Sequence, residues 1–253
     1  MKKIFVLFTA LLLISACSSE KASIKPAPLL DAETLFKQAE EKIKIKYYEE
    51  ARQILGTIKT QDISRKYAAL AELRIGDTYF EEESYNEAIT EYEKFLDAHP
   101  HHQYASYAQY KLAMSYFKKI QTADTSYSMA KQALKEFETL LKLYPRNPYM
   151  DIVENRMNMC KSILAEYEFY VAEFYFKKGS YSAAAERFDN LLRKYPESKK
   201  EPETLYYLGL SYKNMGENEK AQKALTTLIE KFPTIELSKK VKEIISSFDN
   251  KKN

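Results

Sequence analysis

Four stretches of the chain end alike: Phe95-Leu-Asp-Ala-His-Pro100, Leu140-Leu-Lys-Leu-Tyr-Pro145, Leu191-Leu-Arg-Lys-Tyr-Pro196 and Leu228-Ile-Glu-Lys-Phe-Pro233. Each Pro follows an Ala by twelve residues (Ala88, Ala133, Ala184, Ala221) and an apolar residue by eight (Tyr92, Phe137, Phe188, Leu225). A unit recurring at 37 to 51 residues describes one helical hairpin stacked several times, because a single hairpin cannot bury its apolar face alone. Five Gly and eight Pro in 253 residues leave little room for long loops. The expected fold is all-α.

The spacing is similar to that of tetratricopeptide repeats, two antiparallel helices with small residues at their crossing. Residues 69–100 fit best, with Gly76 opposite Ala88 and a turn at Tyr85-Asn86. Residues 202–233 carry Gly209, Ala221 and a turn around Gly216; residues 165–196 carry Ala172, Ala184 and a turn at Lys178-Gly179-Ser180-Tyr181. The third unit holds eight extra residues between Tyr116 and Ala133, in the polar stretch 120–128, which is expected to be a loop. The first unit, 32–63, is the least regular: Lys42 stands in for the Tyr and Ile63 for the closing Pro. Nothing between Tyr149 and Phe176 breaks a helix, so one rod of about 30 residues, about 45 Å long, is expected there. It would join a front half, 31–148 (repeats one to three), to a back half, 149–248 (the long helix with repeats four and five).

Ahead of the repeats, Lys2 and Lys3 precede an apolar run from Ile4 to Ile14, shorter than the roughly 20 residues a spanning helix needs. It fits the core of an export signal, 1–16. Ile14-Ser15-Ala16-Cys17 resembles a bacterial lipobox, which implies cleavage before Cys17 and lipid attachment at its thiol. Two or three acyl chains at one residue anchor stably. Residues 17–30 are small, polar and Pro-containing, the composition of a flexible tether. With Cys17 lipidated, Cys160 has no disulfide partner, and its place in a helical pattern marks it as a packed small hydrophobe.

Without Lys2 and Lys3 the chain carries 37 basic and 36 acidic side chains, so no basic excess supports nucleic-acid binding. His99 takes the slot that Tyr144, Tyr195 and Phe232 take in the other units, and His101 and His102 fall in a loop, so no metal site is expected. Phosphate-loop, nucleophile-elbow and zinc-protease signatures are absent. A non-enzymatic protein without cofactors is expected.

In such repeats the first helix of each hairpin lines the groove. The groove positions are Phe36, Ile43, Leu73, Asp77, Phe80, Tyr107, Tyr110, Met114 and Phe117 in the front half, and Phe169, Glu173, Phe176, Tyr206 and Lys213 in the back half. Their aromatic character suits an extended peptide with apolar side chains. The same pattern is also satisfied if the rings are buried against the next helix.

Two stretches go beyond generic repeats: Ala133-Leu-Lys-Glu-Phe-Glu-Thr-Leu-Leu-Lys-Leu-Tyr-Pro-Arg-Asn-Pro-Tyr149 and Leu164-Ala-Glu-Tyr-Glu-Phe-Tyr-Val-Ala-Glu-Phe-Tyr-Phe-Lys-Lys-Gly-Ser-Tyr181. With the lipobox, they resemble the BamD (ComL) family of outer-membrane β-barrel assembly lipoproteins. The resemblance implies five repeats lipid-anchored on the periplasmic face of the outer membrane, with Ser18 after Cys17 consistent with that sorting. It implies partners: the periplasmic domain of the barrel-forming subunit, other assembly lipoproteins and nascent outer-membrane proteins. Docking candidates are Phe169, Phe176, Lys177, Lys178 and Tyr181. A generic periplasmic adaptor for cell-division or peptidoglycan enzymes would share the lipobox and the repeats.

Overall fold

The structure, a computed structural model, describes residues 31–62, 66–120 and 123–249. The signal 1–16, the tether 17–30 with Cys17, and Ile63 lie outside the described residues. From Ala32 onward the chain forms one compact unit of helices packed in chain order. The pairs are α1 (Ala32–Lys44) with α2 (Tyr48–Gln61), α3 (Ala68–Glu81) with α4 (Tyr85–Ala98), α5 (Ala105–Lys118) with α6 (Ala123–Leu143), α7 (Met150–Lys177) with α8 (Tyr181–Lys194), and α9 (Glu201–Asn214) with α10 (Asn218–Lys231). A last helix, α11 (Glu236–Asp249), packs on α10 and α9. Among the described residues there is no strand, and no helix is long and apolar enough to cross a membrane.

The repeat signature has a direct physical meaning. Ala88, Ala133, Ala184 and Ala221 are fully buried where the second helix of each pair meets the first. Opposite them, a Cβ on Gly76 would stand 2.9 Å from Tyr92 Cε1, and one on Gly209 would stand 2.6 Å from Leu225 Cγ and Cδ2. The aromatic or Leu four residues after each Ala fills the space this close approach leaves: Tyr92, Phe137, Phe188 and Leu225 are all fully buried. α4, α6, α8 and α10 each stop two residues before the Pro, so that the residue next to the Pro, where its ring disfavours helical backbone, lies outside the helix. His99, Tyr195 and Phe232 leave the helix with φ near −130° and still donate their N–H to the carbonyl four residues back.

Four of the turns between paired helices are the same device. After α3, Ser84 N–H donates to Tyr79 O and Glu83 N–H to Phe80 O; after α7, Ser180 donates to Tyr175 and Gly179 to Phe176. The turns after α1 (Tyr47 to Lys42, Lys46 to Ile43) and α9 (Glu217 to Tyr212, Gly216 to Lys213) repeat the pattern. This double bond requires a left-handed residue. Gly179 (φ 77°) and Gly216 (φ 80°) supply it freely, whereas Lys46 (φ 63°) and Glu83 (φ 62°) adopt it with a side chain in place.

The insert in the third unit differs from expectation. Residues 123–128 are helical and lengthen α6 to 21 residues, against 14 for α2, α4, α8 and α10. The stretch contains neither Gly nor Pro, and its Tyr127 packs on Tyr167 of α7 (ring centroids 4.2 Å apart) and donates to Glu168 at 3.2 Å. Packing on the long neighbour outweighs polar composition. That neighbour, α7, runs unbroken for 28 residues, about 42 Å. Its Cys160 is a free, fully buried thiol whose pKa burial pushes up to about 12.

Two outcomes follow from this packing. Gly209→Ala is expected to cost about 1 to 3 kcal/mol by overpacking Leu225, while Gly56→Ala on α2, with open space around the added methyl, is expected to gain roughly 0.5 to 1 kcal/mol; urea midpoints of the two variants separate them. At pH 8 the folded chain should alkylate at Cys160 at least about a hundredfold more slowly than the unfolded chain, read by mass spectrometry of the Cys160 peptide.

Candidate functional site

Three first helices converge at the front end of the array. Phe36 and Glu40, one turn apart on α1, face Leu70, Leu73, Arg74 and Asp77 on α3, and Tyr104 and Tyr107 close the far side at the start of α5. Together they line an open cavity of about 490 Å³ whose walls are mainly apolar. Phe36 also leans on Tyr67, with ring centroids 5.5 Å apart.

The polar floor of this cavity is internally satisfied. Asp77, 4% exposed, accepts from Tyr92 OH at 2.7 Å, Tyr107 OH at 2.9 Å and Arg74 Nη1 at 2.8 Å. Arg74 in turn donates Nε and Nη2 to the two oxygens of Glu40, each at 2.6 Å, in a bidentate pair. Burial alone would lower the Arg74 pKa, but the Glu40 hydrogen bonds and the Asp77 charge outweigh it and hold the guanidinium above its ordinary value. Burial, then the Asp77 charge, raise both Tyr92 and Tyr107, so both stay protonated donors. Lys111 lies behind this floor with its Nζ 3.4 Å from the Phe80 ring centroid; burial lowers its pKa despite Asp77 and Glu81 nearby.

An aromatic face continues along α5 toward α7. Tyr107 neighbours Tyr149 at 6.5 Å, Tyr149 stacks on Tyr110 at 4.2 Å with rings within 10° of parallel, and Arg156 sits over Phe117 at 5.0 Å.

The expected groove residues divide accordingly. Phe36, Leu73 and Tyr107 line the front cavity; Tyr110 and Phe117 lie half-buried on the α5–α7 face. Ile43 packs into the α1–α2 core, and Phe80 is held between Lys111 and the edge of Tyr85. Met114 is a correction, because it is turned into the α5–α7 core at 7% exposure.

Of the docking candidates, Phe169 is likewise buried, packed on Phe188 and Tyr207 in the α7–α9 core, and presents no free ring. Phe176 is half-buried between Tyr181 and Tyr207. Lys177 and Lys178 are exposed; Lys177 pairs with Glu173 at 2.9 Å and Lys178 Nζ lies 5.5 Å from the Phe174 ring. The structure adds residues the sequence reading missed. Tyr167, Tyr170 and Phe174 form an exposed stripe on α7, 47, 54 and 56% accessible. Their spacing of three and four was the available signal, since it alternates with the core set Ala165, Phe169 and Ala172.

Two of the three histidines pack within the fold, and His101 is exposed. His99 Nε2 lies 3.0 Å from Glu72, its ring packs on Phe95, and His102 packs edge-on to Phe95 and against Tyr104. Among the described residues no group of His, Cys, Asp and Glu is placed to hold a metal ion.

Residues 29–228 match the family model YfiO, described as an outer membrane lipoprotein. The outer membrane protein assembly factor BamD of Neisseria meningitidis serogroup A / serotype 4A is 24% identical over 246 residues, covering 92% of this chain and 92% of its own length. That of Rickettsia prowazekii is 26% identical over 253 residues, covering 98% of this chain and all of its own. Among solved structures, the TPR2AB domain of yeast Sti1 in complex with pHSP90 aligns with 87% of this chain and 86% of its own, at 12% identity and a TM-score of 0.46. The family match spans most of the folded repeats, and on that extent the chain belongs to the YfiO outer membrane lipoprotein family.

Proposed function

We propose that the chain is a non-enzymatic component of outer-membrane protein assembly, anchored by lipid at Cys17 on the periplasmic face. In this reading its front cavity receives extended segments of nascent outer-membrane proteins. The turn at 177–181, with the exposed Tyr167, Tyr170 and Phe174, docks the periplasmic domain of a barrel-forming subunit. Other assembly lipoproteins would share the remaining surface. The relatives named as assembly factors align along nearly their whole length, which supports a role for the whole chain rather than for one module.

The observation that carries the reading is the front cavity itself. It opens to solvent, its walls are the apolar faces of Phe36, Leu73, Tyr104 and Tyr107, and its only charged groups already have partners. Such a site offers ring and aliphatic surface and no free acid–base pair, which suits side-chain capture better than chemistry. Lipid anchoring would raise the local concentration of both partners at the membrane.

Two experiments bear on this. Asp77→Ala is expected to cost about 3 kcal/mol, because it leaves the buried Tyr92 hydroxyl and the Arg74 charge short of a partner. Tyr104→Ala, at a 42% exposed position, is expected to stay within about 0.5 kcal/mol of the parent yet lose ligand capture. In intact cells, a photo-crosslinker at Tyr104 should trap outer-membrane protein precursors, and one at Lys178 a barrel-forming assembly subunit. Recovery of cell-wall or division enzymes at both positions would instead favour the adaptor reading.

A further inference from the structure

Two arginines stand along the aromatic surface, and they are in opposite electrostatic states. Arg74 is closed: three of its N–H groups are taken by Glu40 and Asp77, two carboxylates against one guanidinium. An incoming carboxylate would meet a net negative neighbourhood there. Arg156 is open. Its Nε is enclosed and has no hydrogen-bond partner, its Nη1 reaches only Met159 Sδ at 3.5 Å, and its guanidinium lies over the Phe117 ring. No carboxylate of the described residues lies within ion-pair reach of it. A half-buried guanidinium on an aromatic face, with its Nε enclosed and no counter-charge, is costly by itself and favours an anion at its Nη groups.

Its placement says what kind of anion. Tyr110 and Phe117 are seven residues apart on α5, and Tyr149 and Arg156 are seven apart at the start of α7. Tyr149 stacks on Tyr110 and Arg156 covers Phe117, so the two segments form two rungs about 10 Å apart. The first rung touches Tyr107, which lines the front cavity. Beyond the second rung the apolar surface continues on α7 through Met159, 48% exposed, and Ile163. A bound chain therefore has apolar surface on both sides of Arg156. A chain terminus would leave one side unused, whereas an internal acidic side chain uses both.

We propose that Arg156 receives an Asp or Glu side chain carried within an extended, aromatic-rich segment that lies along the α5–α7 face. The proposal rests on the groove reading above and names the charge that such a ligand carries. At about 3.3 Å per residue, an aromatic neighbour two to four positions from the acid would reach the Tyr110–Tyr149 rung.

The test is fluorescence anisotropy of labelled peptides, acetylated and amidated, with a central Glu flanked by aromatic residues, against the purified full chain. The Glu peptide should bind about tenfold more tightly than its Gln counterpart. Arg156→Gln should bring that ratio below about twofold, and Arg156→Lys should retain part of it, since the charge remains without the planar stack. Equal binding of the Glu and Gln peptides to the parent protein would overturn the assignment while leaving the groove reading in place. If the Gln peptide instead regains tight binding when its C-terminus is a free carboxylate, the receptor serves chain ends and the side-chain assignment falls. Binding of no peptide at all would remove both readings. Should Arg156→Gln lose its helical circular dichroism, the Glu-to-Gln ratio of the parent still decides.

Discussion

The close crossing of each helix pair governs the rest of the structure. Where the second helix presents Ala and the first presents Gly or Ala, the backbones approach until a single extra methyl would collide with a buried Tyr or Leu. That approach fixes the rotation of the first helix and hence which side chains face outward. It also demands a turn too tight for ordinary backbone, which the repeated left-handed residue provides. At Lys46 and Glu83 that residue carries a Cβ, at a cost of about 1 kcal/mol each. The packing on either side holds them there, as strained positions persist only where their surroundings over-determine them.

From this frame it is clear what could be read in advance. The Pro-terminated units, the small residues at the crossings, the glycine turns at 179 and 216 and the unbroken α7 all follow from residues acting within one hairpin. Turns made by Lys46 and Glu83 carry no local signal, because neither residue prefers that conformation. The helical insert in α6 was hidden for a related reason: its composition is polar, and the contacts that support it, Tyr127 with Tyr167 and Glu168, lie forty residues later in the chain. The capping helix α11 was legible, since Leu237, Val241, Ile244 and Ile245 recur at helical spacing, yet it completes no repeat and falls outside a search for them.

The site divides along the same line. That first helices would carry aromatic residues was visible; which rings face a ligand was not. Met114 and Phe169 occupy positions equivalent by spacing to half-buried ones and are fully enclosed, because a long α7 covers the first and α9 the second. The shared carboxylate of Asp77 lay further from reach. It joins Arg74 on its own helix, Tyr92 on α4 and Tyr107 on α5, and only the register between successive repeats brings those three donors to one point. Legibility therefore falls off with the number of hairpins a feature spans.

Tyrosine is the residue that reconciles these demands, which explains its abundance, 21 against no Trp. In an array one hairpin deep, every helix lies near solvent, so a large ring can be buried while its hydroxyl stays within reach of a surface carboxylate or carbonyl. The structure uses this repeatedly: Tyr116 donates to Glu93, Tyr127 to Glu168 and Tyr144 to the Pro100 carbonyl. Burial raises the phenol pKa of Tyr116, Tyr127 and Tyr144, with the neighbouring carboxylate adding to it for the first two. These hydroxyls therefore remain neutral donors across the physiological range. These tyrosines therefore add no charge of their own, and the charges beside the front cavity and the α5–α7 face are carried by Glu40, Arg74, Asp77, Lys111 and Arg156.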